Sequence, residues 1–155
     1  MKIAITFIDM RFFDRETEFD KLGEIEEASH NAAQFTIITG RRRIGKTEMV
    51  KKFYENRPML YFFVTRKAEA DLCDICIDEI RTKLNIPMLE SKGMSFAAIF
   101  KFIMDISSNQ HISLFIDDFQ DFYRVNPFIY SDMQNIWDSY KNKARINRKL
   151  TVNPI

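Results

Sequence analysis

Residues 35–47 read FTIITGRRRIGKT, an apolar run that leads directly into a basic loop bounded by glycines. The first five residues predict a buried strand, and Gly40–Thr47 fits the pattern G-x-x-x-x-G-K-[ST]. In this pattern the glycines let the backbone curl so that successive N–H groups point at phosphate oxygens, and the following helix adds the positive end of its dipole. The stretch therefore predicts a phosphate-binding loop between a strand and a helix.

Side chains of this loop are assigned to the phosphates and to a metal ion. Lys46 would reach the β- and γ-phosphates of a nucleoside triphosphate, and Thr47 would give its hydroxyl to Mg²⁺, which prefers hard oxygen ligands. Arg41–Arg43 would add phosphate affinity or hold the loop, because an arginine finger approaches the γ-phosphate from the opposite side. The alternative is a glycine-bounded turn with a chance Lys-Thr pair. The predicted nucleotide-binding residues of the loop are Gly40, Arg41, Arg42, Arg43, Ile44, Gly45, Lys46, Thr47 and Glu48.

Composition indicates an ordinary globular protein. The chain has 155 residues, of which 46% are hydrophobic and 29% charged, and we interpret residues 1–155 as one domain. The net charge of +1 gives no overall attraction to nucleic acid. Since no apolar run approaches the roughly 18 residues that cross a bilayer, we expect a cytoplasmic protein without membrane contact.

The cysteines are interpreted as structural and the histidines as isolated. Cys73 and Cys76 fall inside a helical apolar pattern and are expected to pack in the core. His30 and His111 stand alone in the sequence, so no cluster of metal ligands is expected.

The chain is basic towards its end. From position 139 onward it contains no acidic residue. This segment would either contact nucleic acid or form a solvated helix end, where cations suit the helix dipole. Its basic residues are Lys141, Lys143, Arg145, Arg148 and Lys149.

Hydrophobic periodicity predicts strands that alternate with helices. Parallel pairing with right-handed crossovers follows, and hence a three-layer α/β fold. The apolar residues are continuous in the strands, as expected where both sheet faces are covered. The predicted strands are 35–39, 59–64 and 112–116, and the predicted helices are 15–29 with Asp14 as N-cap, 45–54, 69–84, one from Phe96, and one opened by Asn126 and Pro127.

The third strand ends in two carboxylates, at the edge where α/β sheets bind their ligands. Asp117 would accept a hydrogen bond from Thr47 or from a water of Mg²⁺, and so steady the metal. Asp118 is the candidate catalytic residue, which would orient or deprotonate the attacking water. The alternative is a pair of surface acids that open a loop.

Together these stretches resemble the archaeal-type ATPase family, a branch of the AAA+/STAND class of P-loop ATPases with Walker A and Walker B motifs. The resemblance covers residues 11–146, with 1–9 as an extra segment and 147–155 as a divergent tail. It implies an incomplete AAA+-like parallel sheet with helices on both faces, with ATP and Mg²⁺ as cofactors. It also places Arg15 and Glu16 near the adenine base, or else in a solvated helical turn. The residues that carry the resemblance are Phe13–Glu18, Leu22, Gly40–Thr47, Tyr61–Phe63, Asp117–Gln120 and Met133–Trp137.

The chain departs from this family at two places. Relatives usually have glutamate where this chain has Asp118, which withdraws the candidate base by about 1.5 Å. Relatives also continue with a sensor strand, which lies between the strands of the phosphate loop and of Asp117, and with arginines that meet the γ-phosphate. The absence of the sensor strand would open the middle of the sheet to solvent or a partner. Alternatively, Arg148–Asn153 would supply a short, poor substitute strand, with Asn153 near the sensor position.

The start of the chain has two interpretations. Residues from Met10 onward look like the usual beginning of a relative. If residues 1–9 belong to the protein, the alternation of Ile3, Ile5 and Phe7 predicts a short extra strand.

The sequence therefore predicts an ATP-binding module of an AAA+/STAND-type ATPase, with weak hydrolysis because of Asp118 and the missing region. The alternative is a nucleotide-binding switch or interaction fragment that does not hydrolyse ATP and recruits a protein through an exposed sheet edge. A third alternative is a P-loop kinase, but this sequence shows no signature of a second substrate pocket or of a lid. A remnant that does not fold stably is the last alternative.

Overall fold

The computed structural model of the chain describes residues 2–6, 15–90 and 92–153. Within these ranges the secondary structure alternates between strands and helices, as the sequence predicts. The strands are β1 (Lys2–Thr6), β2 (Gln34–Thr39), β3 (Leu60–Phe63), β4 (Ile112–Asp117) and β5 (Ile146–Val152). The helices are α1 (Glu16–Ser29), α2 (Lys46–Phe53), α3 (Glu69–Leu84), α4 (Phe96–Ser107), a 3₁₀ turn (Phe119–Asp121), α5 (Phe122–Val125) and α6 (Ile129–Tyr140).

The described strands form one parallel sheet in the order β1-β2-β5-β4-β3. β5 lies in its centre, with Phe35 of β2 and Leu114 of β4 both opposite Arg148. The expectation of a sheet opened in the middle is therefore wrong, and the tail supplies the substitute strand. The predicted extra strand at the start is also present, as Lys2–Thr6, whereas Phe7 lies outside the described residues.

Helices cover the sheet on two faces and complete three layers. On one face α3, α4 and α6 enclose the larger core, which includes Phe100, Leu114 and Leu150. On the other, α1 and α2 enclose a smaller core with Leu22 and Phe115. β4 is buried along its whole length, because it contributes side chains to both cores.

Helix boundaries follow local capping, with one difference from the prediction. α4 begins after Ser95, whose hydroxyl accepts the Ala98 N–H at 3.2 Å. α6 begins at Ile129 rather than at Pro127, because the Asn126 side chain accepts the Phe128 N–H at 3.1 Å in a turn before the helix. Asp14, the predicted N-cap of α1, lies outside the described residues.

Cys73 and Cys76 are buried in the larger core, as predicted, and form no disulfide bond. The basic segment at the end, in contrast, is not one solvated helix end, because its cations are divided between the surface and the core. Lys141, Lys143 and Arg145 are exposed, whereas Arg148 and Lys149 are buried in β5. Strand geometry divides the last two, because successive side chains point to opposite faces of a sheet. No helix of the described residues is long and apolar enough to span a membrane.

Candidate functional site

The loop between β2 and α2 has the backbone of a phosphate-binding loop. Gly40 and Gly45 have φ angles of 145° and 81°, a region that side chains with a Cβ rarely occupy. Arg43 adopts a φ of 63° between them. α2 then begins at Lys46, so the loop curls directly onto a helix N-terminus, where free N–H groups favour anions.

Lys46 reaches across this loop. It is 6% exposed, and its Nζ donates hydrogen bonds of 2.8 Å to the carbonyl oxygens of Gly40 and Arg41 and to Oδ1 of Asn153. Burial lowers the pKa of this lysine, and the nearby charges of Asp118 and Asp117 oppose that effect. All three donors of the ammonium group are therefore used by acceptors of the site.

Asp117 is the centre of a second set of hydrogen bonds, at the C-terminal end of β4. Its carboxylate accepts from the Thr47 hydroxyl at 2.9 and 3.1 Å and from the Tyr61 hydroxyl at 2.9 Å. It also bonds to Thr151 Oγ1 and accepts the Asp118 N–H at 3.1 Å. The predicted pairing of Thr47 with Asp117 is present. Burial raises the pKa of Tyr61, and the Asp117 carboxylate adds to this effect.

Asp118 points into the same region from a turn with a left-handed backbone, at a φ of 54°. Its Oδ1 accepts from Asn153 Nδ2 at 2.6 Å and from Gln120 Nε2 at 3.4 Å. Asn153 thus joins Lys46 to Asp118, and its placement near the sensor position of relatives stays a prediction. Backbone and side-chain contacts together fix where this carboxylate lies.

These elements enclose one open cavity of about 550 Å³ at the C-terminal edge of the sheet. Its lining combines cations from the loop with side-chain oxygen atoms at the C-terminal ends of β4 and β5. Because Thr47 and Asp117 present hard oxygen atoms beside the loop, they fit Mg²⁺. The lining residues are Arg42, Arg43, Gly45, Lys46, Thr47, Glu48, Asp117, Asp118, Thr151 and Asn153.

Arg15 contacts the outside of the phosphate loop. Its guanidinium donates to the carbonyl oxygen of Gly45 at 3.2 Å and to that of Ile44. The side chain is 6% exposed. These contacts hold the loop backbone in place, and the placement of Arg15 beside adenine stays a prediction.

The expectation that His30 and His111 are isolated is wrong. Their rings stack with centroids 3.7 Å apart, and one ligand atom of each lies within 4.8 Å of a Glu26 oxygen. His111 also contacts the Ser29 hydroxyl at 2.7 Å. The two histidines are 81 positions apart, so only the packing of α1 against the start of β4 brings them together.

The Glu26 carboxylate belongs to a polar network beneath the sheet. It accepts from the Tyr54 hydroxyl at 2.5 Å, from Ser113 at 2.8 Å and from Asn147 at 2.6 Å. Burial is the largest single effect on the pKa of Glu26 and raises it, but these hydrogen bonds and the charge of Lys149 together outweigh burial, so the pKa is lowered. Hydrogen-bond donors thus occupy both oxygens, which explains how the charge is tolerated there.

Two residues of the site were missed by sequence reasoning. Tyr61 and Thr151 hold Asp117 from the neighbouring strands β3 and β5. For Tyr61 the signal was available, since a tyrosine in an apolar parallel strand has a hydroxyl that needs a partner. Thr151 could be assigned only once β5 was known to lie beside β4, and the sequence left that pairing open.

Comparison with known proteins identifies the fold and the family. A family model described as an ATPase domain predominantly from Archaea matches residues 12–147. The uncharacterized protein MJECL04 of Methanocaldococcus jannaschii is 30% identical over 134 residues, which cover 86% of this chain and 28% of that protein.

Three solved structures share the fold at lower identity. The Walker-type ATPase PABY2304 of Pyrococcus abyssi has a TM-score of 0.64 at 21% identity and covers 93% of this chain and 48% of its own. Cdc6p of Pyrobaculum aerophilum has a TM-score of 0.59 at 18% identity, with 96% and 41% covered. ORC2 of Aeropyrum pernix has a TM-score of 0.61 at 16% identity, with 95% and 43% covered. The chain thus spans less than half the length of each of these relatives.

Proposed function

Because this chain belongs to the family of ATPase domains found predominantly in Archaea, we propose that it is a module that binds ATP together with Mg²⁺. The structure of Aeropyrum pernix ORC2 is described as ADPNP and ADP complexes, which supports an adenine nucleotide as the ligand of this fold. A cytoplasmic location, where ATP and Mg²⁺ are abundant, is part of the proposal.

The observation that carries the proposal is the meeting of two regions far apart in sequence. Lys46 and Thr47 begin α2, Asp117 ends β4, and the Thr47 hydroxyl donates to the Asp117 carboxylate across 70 residues of chain. A buried carboxylate, a hydroxyl and a lysine around one cavity form a set suited to a polyphosphate with its cation. A chance glycine turn would have no reason to face such a partner.

Each residue has a distinct task in binding. The N–H groups of Gly45 and the following helix turn would donate to phosphate oxygens, and Lys46 would exchange its loop carbonyl acceptors for the β- and γ-phosphates. Thr47 and Asp117 would hold Mg²⁺, which when bound neutralises the charge on the phosphate oxygens. Tyr61 and Thr151 orient the Asp117 carboxylate through their hydrogen bonds.

Hydrolysis requires a group that orients the attacking water, and Asp118 is our candidate for it. In a relative with glutamate this group would reach about 1.5 Å further. A displacement of about 1 Å can cost on the order of 100-fold in rate. We therefore expect binding to be intact and turnover to be slow.

A second candidate function is a nucleotide-binding switch without turnover. It is favoured by the contacts of Asp118, whose carboxylate accepts from Asn153 and Gln120 and so has fewer lone pairs for a water. In this role nucleotide binding would order the site and a sheet edge would recruit a protein. The outer strand β3 offers Phe63, which is 48% exposed, at that edge.

Two measurements on the same samples test these proposals. The first is titration with a fluorescent ATP analogue in Mg²⁺ and in EDTA, and the second is phosphate release under single-turnover conditions. Lys46→Ala is expected to weaken binding by about 10- to 100-fold, because it removes hydrogen bonds from a charged donor. The matched control is Lys52→Ala, which removes an exposed cation from the same helix, where it pairs with Glu55 at 2.6 Å.

The results separate the candidates. Mg²⁺-dependent binding with phosphate release faster than in the Lys46→Ala variant supports a hydrolase. The same Mg²⁺-dependent binding, with phosphate release no faster than in the Lys46→Ala variant, supports the switch. Absence of Mg²⁺-dependent binding in the wild type would contradict both.

A further inference from the structure

Arg148 is a buried cation in the centre of the sheet. It lies in β5 and is 3% exposed. Its guanidinium stacks against the rings of Phe35 at 3.8 Å and Trp137 at 4.3 Å, and Phe100 lies at 5.4 Å. Among the residues that the structure describes, no carboxylate lies within ion-pair distance of it, and its Nε has no hydrogen-bond partner.

Aromatic contacts alone do not balance this burial. Cation–π contacts of a desolvated arginine contribute about 2 kcal/mol, whereas removing an ion from water costs several kcal/mol. Burial accordingly lowers the pKa of Arg148 to about 9, and the charge of Asp138 opposes this effect. Buried charges in proteins are normally paired, so the missing partner is an anion.

A second cavity, of about 240 Å³, opens beside Arg148 on the α6 face of the sheet. Apart from Arg148 its walls are mostly aromatic and aliphatic. Tyr130 and Gln134 also border it, but the Tyr130 hydroxyl donates to Phe119 and Gln120 carbonyl oxygens and the Gln134 amide donates to Asp138. The apolar lining residues are Phe35, Ile37, Phe119, Met133, Leu150 and Val152.

This cavity is separate from the proposed nucleotide site. The two share no lining residue, and the alternation of β5 explains why. Thr151 and Asn153 border the nucleotide cavity, whereas Arg148, Leu150 and Val152 border the second one. A ligand can therefore occupy either cavity without displacing one from the other.

We propose that the Arg148 cavity binds a small monocarboxylate with a flat, apolar body. A guanidinium offers two parallel N–H donors that match a carboxylate, and the aromatic walls match an apolar ring. A polyphosphate does not fit, because the cavity presents one cation and few free polar donors. The carboxylate would supply the anion that the buried guanidinium lacks.

The native fluorescence of Trp137 reports on this site directly, since it is the single tryptophan of the chain and its ring contacts the guanidinium. The probes are phenylacetate and its neutral isostere phenylacetamide, each added to the full wild-type chain. We expect a saturable change of Trp137 fluorescence with phenylacetate and at least about 10-fold weaker binding of phenylacetamide, because only the anion pairs with the guanidinium.

Variants test the residue, with calorimetry as the readout. Arg148→Lys keeps the charge without the planar pair of donors and is expected to weaken phenylacetate binding by about 10-fold. Arg145→Lys, the same change at an exposed arginine outside the cavity lining, is the matched control and should leave binding unchanged. The comparison of acid and amide on the wild type remains decisive if a variant does not fold.

The proposal is overturned if phenylacetate and phenylacetamide bind alike, or if neither binds up to about 10 mM. It is also overturned if phenylacetate competes with the fluorescent ATP analogue, which would place it in the nucleotide cavity. Phenylacetate binding that persists in Lys46→Ala supports the proposal, whether or not the chain binds ATP.

Discussion

The length of the Asp118 side chain bears on whether the chain hydrolyses ATP or only binds it. Its carboxylate is held 2.6 Å from the Asn153 amide and faces the cavity that Lys46 and Thr47 line. The left-handed backbone at Asp118 sets the direction of the side chain, whereas the reach of the carboxylate depends on side-chain length. An aspartate here reaches less far over the loop than a glutamate would.

We predict that Asp118→Glu increases phosphate release, by up to on the order of 100-fold, because the added methylene restores about 1.5 Å of reach to the carboxylate that we propose orients the water. Affinity for the fluorescent ATP analogue should change little, since Lys46, Thr47 and Asp117 are unaltered. Single-turnover phosphate release on the two proteins measures the effect.

The matched control is Asp138→Glu, the same change at an exposed position on α6. It should leave phosphate release at the wild-type rate. Equal or slower release in Asp118→Glu would show that the length of this side chain does not limit turnover.

Among the described strands, β5 is unusual because it places two cationic side chains in the interior of the fold. It buries Arg148 on one face of the sheet and Lys149 on the other. Lys149 is 0% exposed, its Nζ lies 3.9 Å from Glu26, and it sits 4.5 Å from the Tyr54 ring centre. Burial lowers its pKa to about 7, which the nearby Glu26 charge opposes.

This lysine predicts a stability that rises with pH. Between its folded pKa of about 7 and its ordinary value of 10.5, the unfolded chain holds more protons on Lys149 than the folded chain does. The free energy of unfolding therefore increases with pH in that interval. Cys73 and Cys76 have raised pKa values and act in the opposite direction only above their ordinary value of 9.0.

We accordingly expect the midpoint of urea unfolding to increase from about pH 7 to about pH 8.5. Lys149→Met should flatten this increase, because it removes the titrating group and keeps an unbranched apolar chain in the core. Lys67→Met, at an exposed position before α3, should leave the slope unchanged. An equally steep slope in Lys149→Met would show that Lys149 does not cause it.

β5 also holds the two halves of the sheet together. It pairs with β2 from Gln34 to Thr39 and with β4 from Ile112 to Ile116. Without it, unpaired N–H and C=O groups would face solvent in the middle of the sheet.

A chain that ends after Arg145 is therefore expected to lose its cooperative thermal transition, as followed by circular dichroism. A chain that ends after Asn153 keeps every described strand and serves as the control. A cooperative melt of the shorter chain at an unchanged midpoint would contradict the role assigned to β5.

At the scale of the whole molecule, local patterns predicted most of the architecture. The apolar runs gave β2, β3 and β4, and the glycine spacing gave the loop before α2. The meeting of Thr47 with Asp117 was also predictable, because the C-terminal ends of parallel strands lie at one edge of a sheet.

Features that depend on distant parts of the chain were not predictable. Arg148 and Lys149 read as solvent-exposed cations, and only the pairing of β5 with both neighbours buries them. His30 and His111 meet through helix packing that no local pattern encodes. The sequence therefore left open whether the tail fills the sheet, and the contacts of Asn153 follow from that answer.

The most direct measurement is a crystal structure of the chain with a non-hydrolysable ATP analogue and Mn²⁺, in which anomalous scattering locates the cation. We expect phosphates within the loop Gly40–Thr47 and one Mn²⁺ peak between Thr47 and Asp117. Nucleotide or Mn²⁺ bound elsewhere, with the loop empty, would contradict it.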